Sequence, residues 1–291
     1  MSTSTKILDH IVHLTPVGSL DETCKQWESL GFTVLSGGRH ADGITENALV
    51  VLSDLVYIEL ITFVHPVSHY EPGSPSYEQR TEHQWANKPT GFVAYSFGGD
   101  VSAHPTISEI LNKRLEDAGS QFRYDGPKQG GRIRPDGKEV KWELTTPSRW
   151  NKLVDGMGRP FYCADITPRD LRVPKDEKYH AHGNKARSIA FVRVLTSRSA
   201  LPQNTKALRV IVGEAPSSTS DDEVEWALGT PGPGQAPLLV LSLPKDAAEE
   251  AFVESNGLGI YEVGFLVDQS GGRDETRTPF GKIAWIPAAD R

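Results

Sequence analysis

The chain predicts an α+β fold, and three observations carry that expectation. A strand-helix-strand-strand-strand order occurs twice before residue 170, a long aromatic-rich connection separates the two copies, and a third, less regular strand-and-helix pattern follows them. Identity between the copies is weak, so the repeat lies in the order of elements rather than in the residues.

In the first copy, residues 6–14 are rich in β-branched side chains and read as a strand, which Pro16-Val-Gly ends. Ser19 and Asp21 can cap a helix over 21–30 that carries Leu20, Cys24, Trp27 and Leu30 on one face and stops at Gly31. A short strand over 32–35 follows, then strands over 47–52 and 56–63 joined by a turn at Ser53-Asp54. The connection 66–88 has little periodicity but much Pro, Ser, His and Tyr, the composition of an ordered functional loop. The second copy reads as a strand over 91–97, a helix over 106–118 ending at Gly119, and a short strand over 121–124. A glycine-rich loop to 137, a strand over 140–145, a turn region over 147–157 and a strand over 160–167 complete it. After a polar crossing over 165–184 come strands at 188–195, 207–212, 237–243 and 259–267 and a helix at 246–255, before a polar tail beyond 269 that Trp285 anchors. Modules over about 5–65 and 89–168 therefore make one domain, 1–170, and 185–291 form a C-terminal βα module packed on it.

Composition sets the class. With 291 residues, 37 % apolar and 24 % charged, the chain can bury a sizeable core. A net charge of −7 without a Lys/Arg cluster argues against nucleic acid as a partner. Two cysteines, Cys24 and Cys163, are too few for a disulfide scaffold. No apolar run reaches membrane-spanning length and the first residues lack a signal-peptide core, so a cytoplasmic protein is expected. All histidines fall between His10 and His182, which points chemistry to the first two thirds. Neither a G-x-S-x-G elbow, an H-E-x-x-H helix nor a phosphate-binding glycine loop occurs.

Polar residues inside otherwise apolar strands mark the candidate site, because burying them costs free energy unless they are paired or used. Strand alternation puts Leu8, His10, Val12 and Leu14 on one face and Tyr57, Glu59, Ile61 and Phe63 on another. A buried His–Glu pair that merely satisfies itself is the plainer alternative. Thr45 and Asn47 can supply hydrogen bonds to a carbonyl or carboxylate, and His40 sits in a turn made by Gly37-Gly38 and Gly43. Arg132, in a glycine-rich segment beside the strand carrying Trp142, can pair with an anion.

Leu-Asp-His-Ile-Val at 8–12, Gly-Gly-Arg-His at 37–40, Gly43 with Thr45 and Asn47, and Tyr-Ile-Glu-Leu-Ile at 57–61 resemble the glyoxalase-like domain family of the vicinal oxygen chelate superfamily. The resemblance is strongest over 6–63, weaker to about 170 and weakest beyond. It implies paired βαβββ modules whose curved sheets form a cup around a small molecule. It also implies lyase, isomerase or dioxygenase chemistry on a carbonyl- or enol-containing metabolite, or ligand sequestration without turnover. His10, Glu59 and His40 are then the expected catalytic residues, and Asn47, Thr45, Tyr57, Trp142 and Arg132 the substrate-binding ones. In metal-dependent members the ligands come from the first and last strands of each module. That makes His10, Glu59 and Asp165 the candidate ligands for one divalent zinc, iron or manganese ion, although the second module's first strand offers no His, Glu or Gln. Without a metal, His10 and Glu59 can do acid/base work. The expected partner is a small molecule, with neither nucleic acid nor membrane, and a homodimer is compatible with such modules.

Overall fold

A computed structural model describes residues 4–149, 158–268 and 274–288. The expected turn region over 147–157 falls partly outside these residues. The first module is β1 (Leu8–Leu14), α1 (Leu20–Ser29), β2 (Leu35–Arg39), β3 (Thr45–Val51) and β4 (Tyr57–Phe63). A connection containing α2 (Pro75–Glu82) leads to the second: β5 (Gly91–Gly98), α3 (Ile107–Asp117), β6 (Lys128–Ile133), β7 (Glu139–Thr145) and β8 (Phe161–Asp165). The short α4 (Arg169–Arg172) follows. Together these strands make one eight-stranded sheet, ordered β2-β3-β4-β1-β5-β8-β7-β6.

This sheet curls until its two edges meet. His40, just past β2, bridges Arg132 on β6, and the Ala41 amide donates to the Gly131 carbonyl at 2.9 Å. The Gly37-Gly38 pair is what lets the seam form: Gly38 has φ +118°, and a Cβ on it would collide with the Ile133 carbonyl oxygen. On β6, a Cβ at Gly130 would come within 2.6 Å of the Trp142 indole nitrogen, so glycine lets that ring lie across the strand.

The C-terminal part repeats the plan. β9 (Ala186–Leu195), α5 (Leu201–Val212), β10 (Ser218–Thr219), β11 (Glu223–Ala227) and β12 (Leu238–Ser242) form a further strand-helix-three-strand unit. Then come α6 (Ala247–Asn256), β13 (Gly259–Val267), β14 (Asp274–Thr278) and β15 (Gly281–Pro287), a shortened unit with no helix after β13 among the described residues. Their sheet has the order β10-β11-β12-β9-β13-β15-β14. The main core draws on both sheets and on α1, α3 and α5, with Trp27 of α1 6.5 Å from Phe265 of β13 between ring centroids. A second cluster, including Val12, Ile61, Phe63, Trp85, Trp142 and Phe161, lines the inside of the curled sheet. No helix among the described residues is long and apolar enough to cross a membrane.

Three local expectations fail for physical reasons. Residues 207–212, β-branched and read as a strand, are the last turns of α5; Leu201, Asn204, Leu208 and Ile211 are buried at helical spacing, and Gly213 caps the end at φ 84°. Residues 121–124 make only an isolated bridge, Tyr124 to Pro147, and the strand lies instead in the glycine-rich segment at β6. The connection 66–88 is not all loop, since Ser74 accepts from the Tyr77 amide and caps α2, with Pro75 in its first turn.

Candidate functional site

The curled sheet encloses a cavity of about 220 Å³ lined by residues from both modules and from the segment after α2. Glu59 on β4 is its focus. The Asn47 amide nitrogen on β3 donates to Glu59 Oε1 at 2.6 Å, and Asn47 Nδ2 is also 3.3 Å from His40 Nε2. His40 Nε2 lies 3.7 Å from Glu59 Oε1, and His10 Nε2 lies 3.7 Å from Glu59 Oε2. The carboxylate is thus held between two imidazoles.

Each imidazole is fixed from behind. His10 Nδ1 and Asp9 Oδ1 are 2.6 Å apart, and the carboxylate can only accept, so the His10 proton sits on Nδ1 and Nε2 is open toward Glu59. Two neighbours in a strand normally point to opposite faces. Here an irregularity between Leu8 and His10 in the β1–β5 ladder turns both Asp9 and His10 inward and sends Leu8 into the main core with Ile11. The expected common face of Leu8, His10, Val12 and Leu14 is therefore broken at Leu8. Tyr57 stacks on His10, with centroids 4.7 Å apart and planes at 14°. His40 Nδ1 is 2.6 Å from Thr45 Oγ1, while its Nε2 receives the Asn47 proton, so Nδ1 carries the hydrogen and donates to the threonine. Burial lowers the pKa of His40 and keeps the ring neutral, against the pull of Glu59 and Asp42.

Behind Asp9 lies a charged layer that no sequence signal announced. Arg172 donates to Asp9 Oδ1 at 2.8 Å, to Asp165 Oδ1 at 2.6 Å and to the Tyr57 hydroxyl at 2.8 Å, and Arg169 donates to both Asp9 and Asp165. Burial alone would raise the Asp9 carboxyl, but Arg169 and Arg172, with the bond from His10, hold it well below the usual carboxylate range. On the rim, burial pushes His83 down to about 4; its Nδ1 accepts from the Trp85 amide at 3.1 Å.

Of the residues expected at the site, His10, His40, Thr45, Asn47, Tyr57, Glu59, Arg132 and Trp142 all line the cavity. Of the two residues expected to meet substrate, Thr45 places its hydroxyl on His40 and Asn47 places its amide nitrogen on Glu59 and His40, while Asn47 Oδ1 is buried without a hydrogen-bond partner among the described residues. Asp165 stands apart, its two oxygens taken by Arg172 and Arg169. His182 lies away from the cavity, buried and accepting from the Thr33 amide at 3.0 Å. Asp9, Arg172 and His83 were missed.

The metal that the superfamily resemblance implies would need donors from both modules. The first offers His10 Nε2 and Glu59. In the second, Asp165 is committed to arginines, and burial raises the Cys163 thiol far above its ordinary range. Among the described residues no three His, Cys, Asp or Glu side chains gather as a metal-binding group. The donor set does not fit a metal held in the superfamily's manner.

The curled sheet of two βαβββ modules, with a polar cluster from first and last strands inside it, defines a protein of the vicinal oxygen chelate fold. The sequence profile of the family described as "Glyoxalase-like domain" matches residues 8–208, and the chain belongs to that family. The matched stretch covers the whole first sheet, β9 and part of α5. Among solved structures, a hypothetical protein from Staphylococcus aureus is similar over 99 % of this chain and 100 % of its own, at 17 % identity and a TM-score of 0.67. A mutant of 4-hydroxymandelate synthase from Streptomyces coelicolor is similar over 98 % of this chain and 93 % of its own, at 12 % identity and a TM-score of 0.56. At these identities the likeness is one of fold. No protein of curated function matches the sequence.

Proposed function

We propose that the cup is the active site of a small-molecule enzyme that moves a proton beside a carbonyl or enol group. The carrying observation is the Glu59 carboxylate, set between His10 Nε2 and His40 Nε2 at 3.7 Å each and anchored by Asn47 at 2.6 Å. Asn47 occupies Oε1, which leaves Oε2 toward His10 as the basic oxygen. Glu59 takes a proton from the carbon next to the carbonyl, and electron density moves onto the carbonyl oxygen. His10 Nε2 can receive that proton in turn, because Asp9 stabilises the imidazolium that forms. Arg132, on the cavity wall, supplies positive charge for the oxygen that gains electron density. Asn47, Thr45 and Asp9 are positioning residues. Tyr57 and Trp142 supply flat walls, the Trp142 ring lying 5.8 Å from that of His40.

The test is exchange of carbon-bound hydrogen with solvent deuterium, followed by NMR over a panel of small ketones, aldehydes and keto acids. Exchange that vanishes in a Glu59→Gln variant of unchanged ligand affinity supports the reading. Tight ligand binding with no exchange across the panel would instead favour a sequestering protein.

A further inference from the structure

Four arginines are buried in the described residues: Arg80, Arg132, Arg172 and Arg193. Three of them have an evident electronic partner. Arg172 is held by Asp9 and Asp165, Arg193 by Glu249 at 2.6 Å, and the Arg80 guanidinium lies 3.5 Å above the Phe63 ring. Arg132 has none of these. It is 4 % exposed, and the hydrogen bonds its guanidinium makes go to two main-chain carbonyls, Gly37 through Nη1 and Arg172 through Nη2 at 3.3 Å. Glu59 acts on it from across the cavity, beyond ion-pair contact. A buried cation without an anion is costly, and two carbonyls do not cancel a full charge.

Arg132 also faces the cavity, so an anion could reach it only as a ligand. A planar guanidinium suits a planar carboxylate. The walls around Arg132 include four rings, Trp142, Trp85, Phe161 and Tyr57, beside aliphatic Leu49, Ile61 and Leu144, while Arg172, which also reaches the lining, is already neutralised by Asp9 and Asp165. The cavity, about 220 Å³, falls below the range of roughly 300–1,000 Å³ found for drug-sized ligands. We propose that the cup binds a small carboxylate with a flat apolar body, its carboxylate on Arg132 and its body among Trp142, Trp85 and Phe161. This rests on reading the cup as a small-molecule site with Glu59 as base. Charge then sets the orientation: the carboxylate is drawn to Arg132 and repelled by Glu59, which leaves the carbon beyond it facing the base.

Calorimetric titration of the full chain with benzoate, phenylacetate and 2-oxobutanoate, each against its primary amide, tests this. At least one acid should bind tenfold or more tightly than its amide. Arg132→Gln should remove at least tenfold of that acid affinity and leave the amide unchanged, while Arg132→Lys keeps part of the preference. Equal affinity for acid and amide in the unaltered protein, no binding of any acid, or undiminished acid affinity in folded Arg132→Gln would each overturn the proposal. If Arg132→Gln does not fold, the acid-to-amide ratio of the unaltered protein and the Arg132→Lys variant decide. The catalytic reading fails separately: acid preference without deuterium exchange removes the enzyme and keeps the carboxylate site, and exchange without acid preference does the reverse.

Discussion

The two sheets offer the same strand positions and fill them with opposite chemistry. In the first sheet His10 pairs with Ser96 on one side and Tyr57 on the other, and Glu59 stands two residues beyond Tyr57. In the second sheet Arg193 pairs with Glu262 and Val240, and Ser242 stands two residues beyond Val240. With Leu14–Gly91 aligned on Leu195–Gly259, Arg193 stands at the register position of Val12 and Ser242 at that of Ile61, while the apolar Phe191 and Val240 fill the positions of His10 and Glu59. The connections differ as well. After β4 the chain brings His83 and Trp85 to the rim of the cavity. After β12 it drives Glu249 of α6 onto Arg193, in a bidentate pair at 2.6 and 2.7 Å, while Arg193 Nε donates to Ser242 at 2.8 Å. One scaffold therefore holds its polar groups open and the other closes them on each other. A fixed charge pair makes a floor; a carboxylate set between two imidazoles on a cavity wall makes a site.

Exchanging one carboxylate for its amide in each sheet gives the sharpest separation. Glu59→Gln should lower proton exchange by about 10²- to 10⁴-fold, the usual contribution of a general base, with little change in a urea melt. Glu249→Gln should do the opposite. It removes one partner of a buried pair and should cost about 3–5 kcal/mol in the melt, with exchange per folded molecule intact. Equal stability losses in the two variants would mean that Glu59 is a structural residue like Glu249.

The division between the sheets also shows what a sequence reveals. His10, Glu59, Asn47 and His40 were legible because each is polar in an apolar or glycine-marked context, and the repeat order was legible from strand and helix periodicities. The layer behind them was not. Asp9 looks inward only because of a local irregularity in one ladder, and alternation would send it to the opposite face. Arg172 and Arg169 lie in a polar crossing whose path to Asp9, more than 150 positions away in the chain, leaves no local pattern. Residues 207–212 carried β-branched side chains that helix packing overrode, and Gly130-Gly131 read as a loop although Trp142 needs them in a strand.

His13, three residues from His10 on β1, probes the core between the sheets rather than the cup. It is 1 % exposed, with rings of Trp27 and Phe92 at 5.5 and 5.1 Å, and burial lowers its pKa to about 4. The unfolded chain, titrating near pH 6.5, takes up a proton that the native state refuses until about pH 4. The stability that depends on this neutral ring is complete above pH 6.5 and falls as pH drops through that window, by roughly 3 kcal/mol at about 1.4 kcal/mol per unit. Urea melts at pH 7 and pH 4.5 should show a drop that His13→Phe, if folded, reduces by roughly 2–3 kcal/mol, the remainder belonging to His83, His40 and His182, whose pKa values burial also lowers. A drop of unchanged size would place the acid sensitivity elsewhere.

Thr45→Val should give the smallest effect and the most specific one. Thr45 is 1 % exposed, and its hydroxyl, 2.6 Å from His40 Nδ1, is what keeps the ring hydrogen on that nitrogen. Without it, Nδ1–H loses its acceptor, at about 1 kcal/mol, and the tautomer with hydrogen on Nε2 becomes competitive. That hydrogen would point at the Asn47 amide, whose own hydrogens already point at His40 and Glu59. Asn47 must then turn, and Glu59 Oε1 loses its donor. The exchange rate should fall about fivefold, the equivalent of that 1 kcal/mol, with the pH at half-maximal rate displaced as Glu59 loses its hydrogen bond. Thr45→Ser, which keeps the hydroxyl, should restore both. A lower rate with an unmoved pH profile, or no rescue by serine, would show that Thr45 serves packing alone and that the imidazole does not transmit its hydrogen bond to the carboxylate.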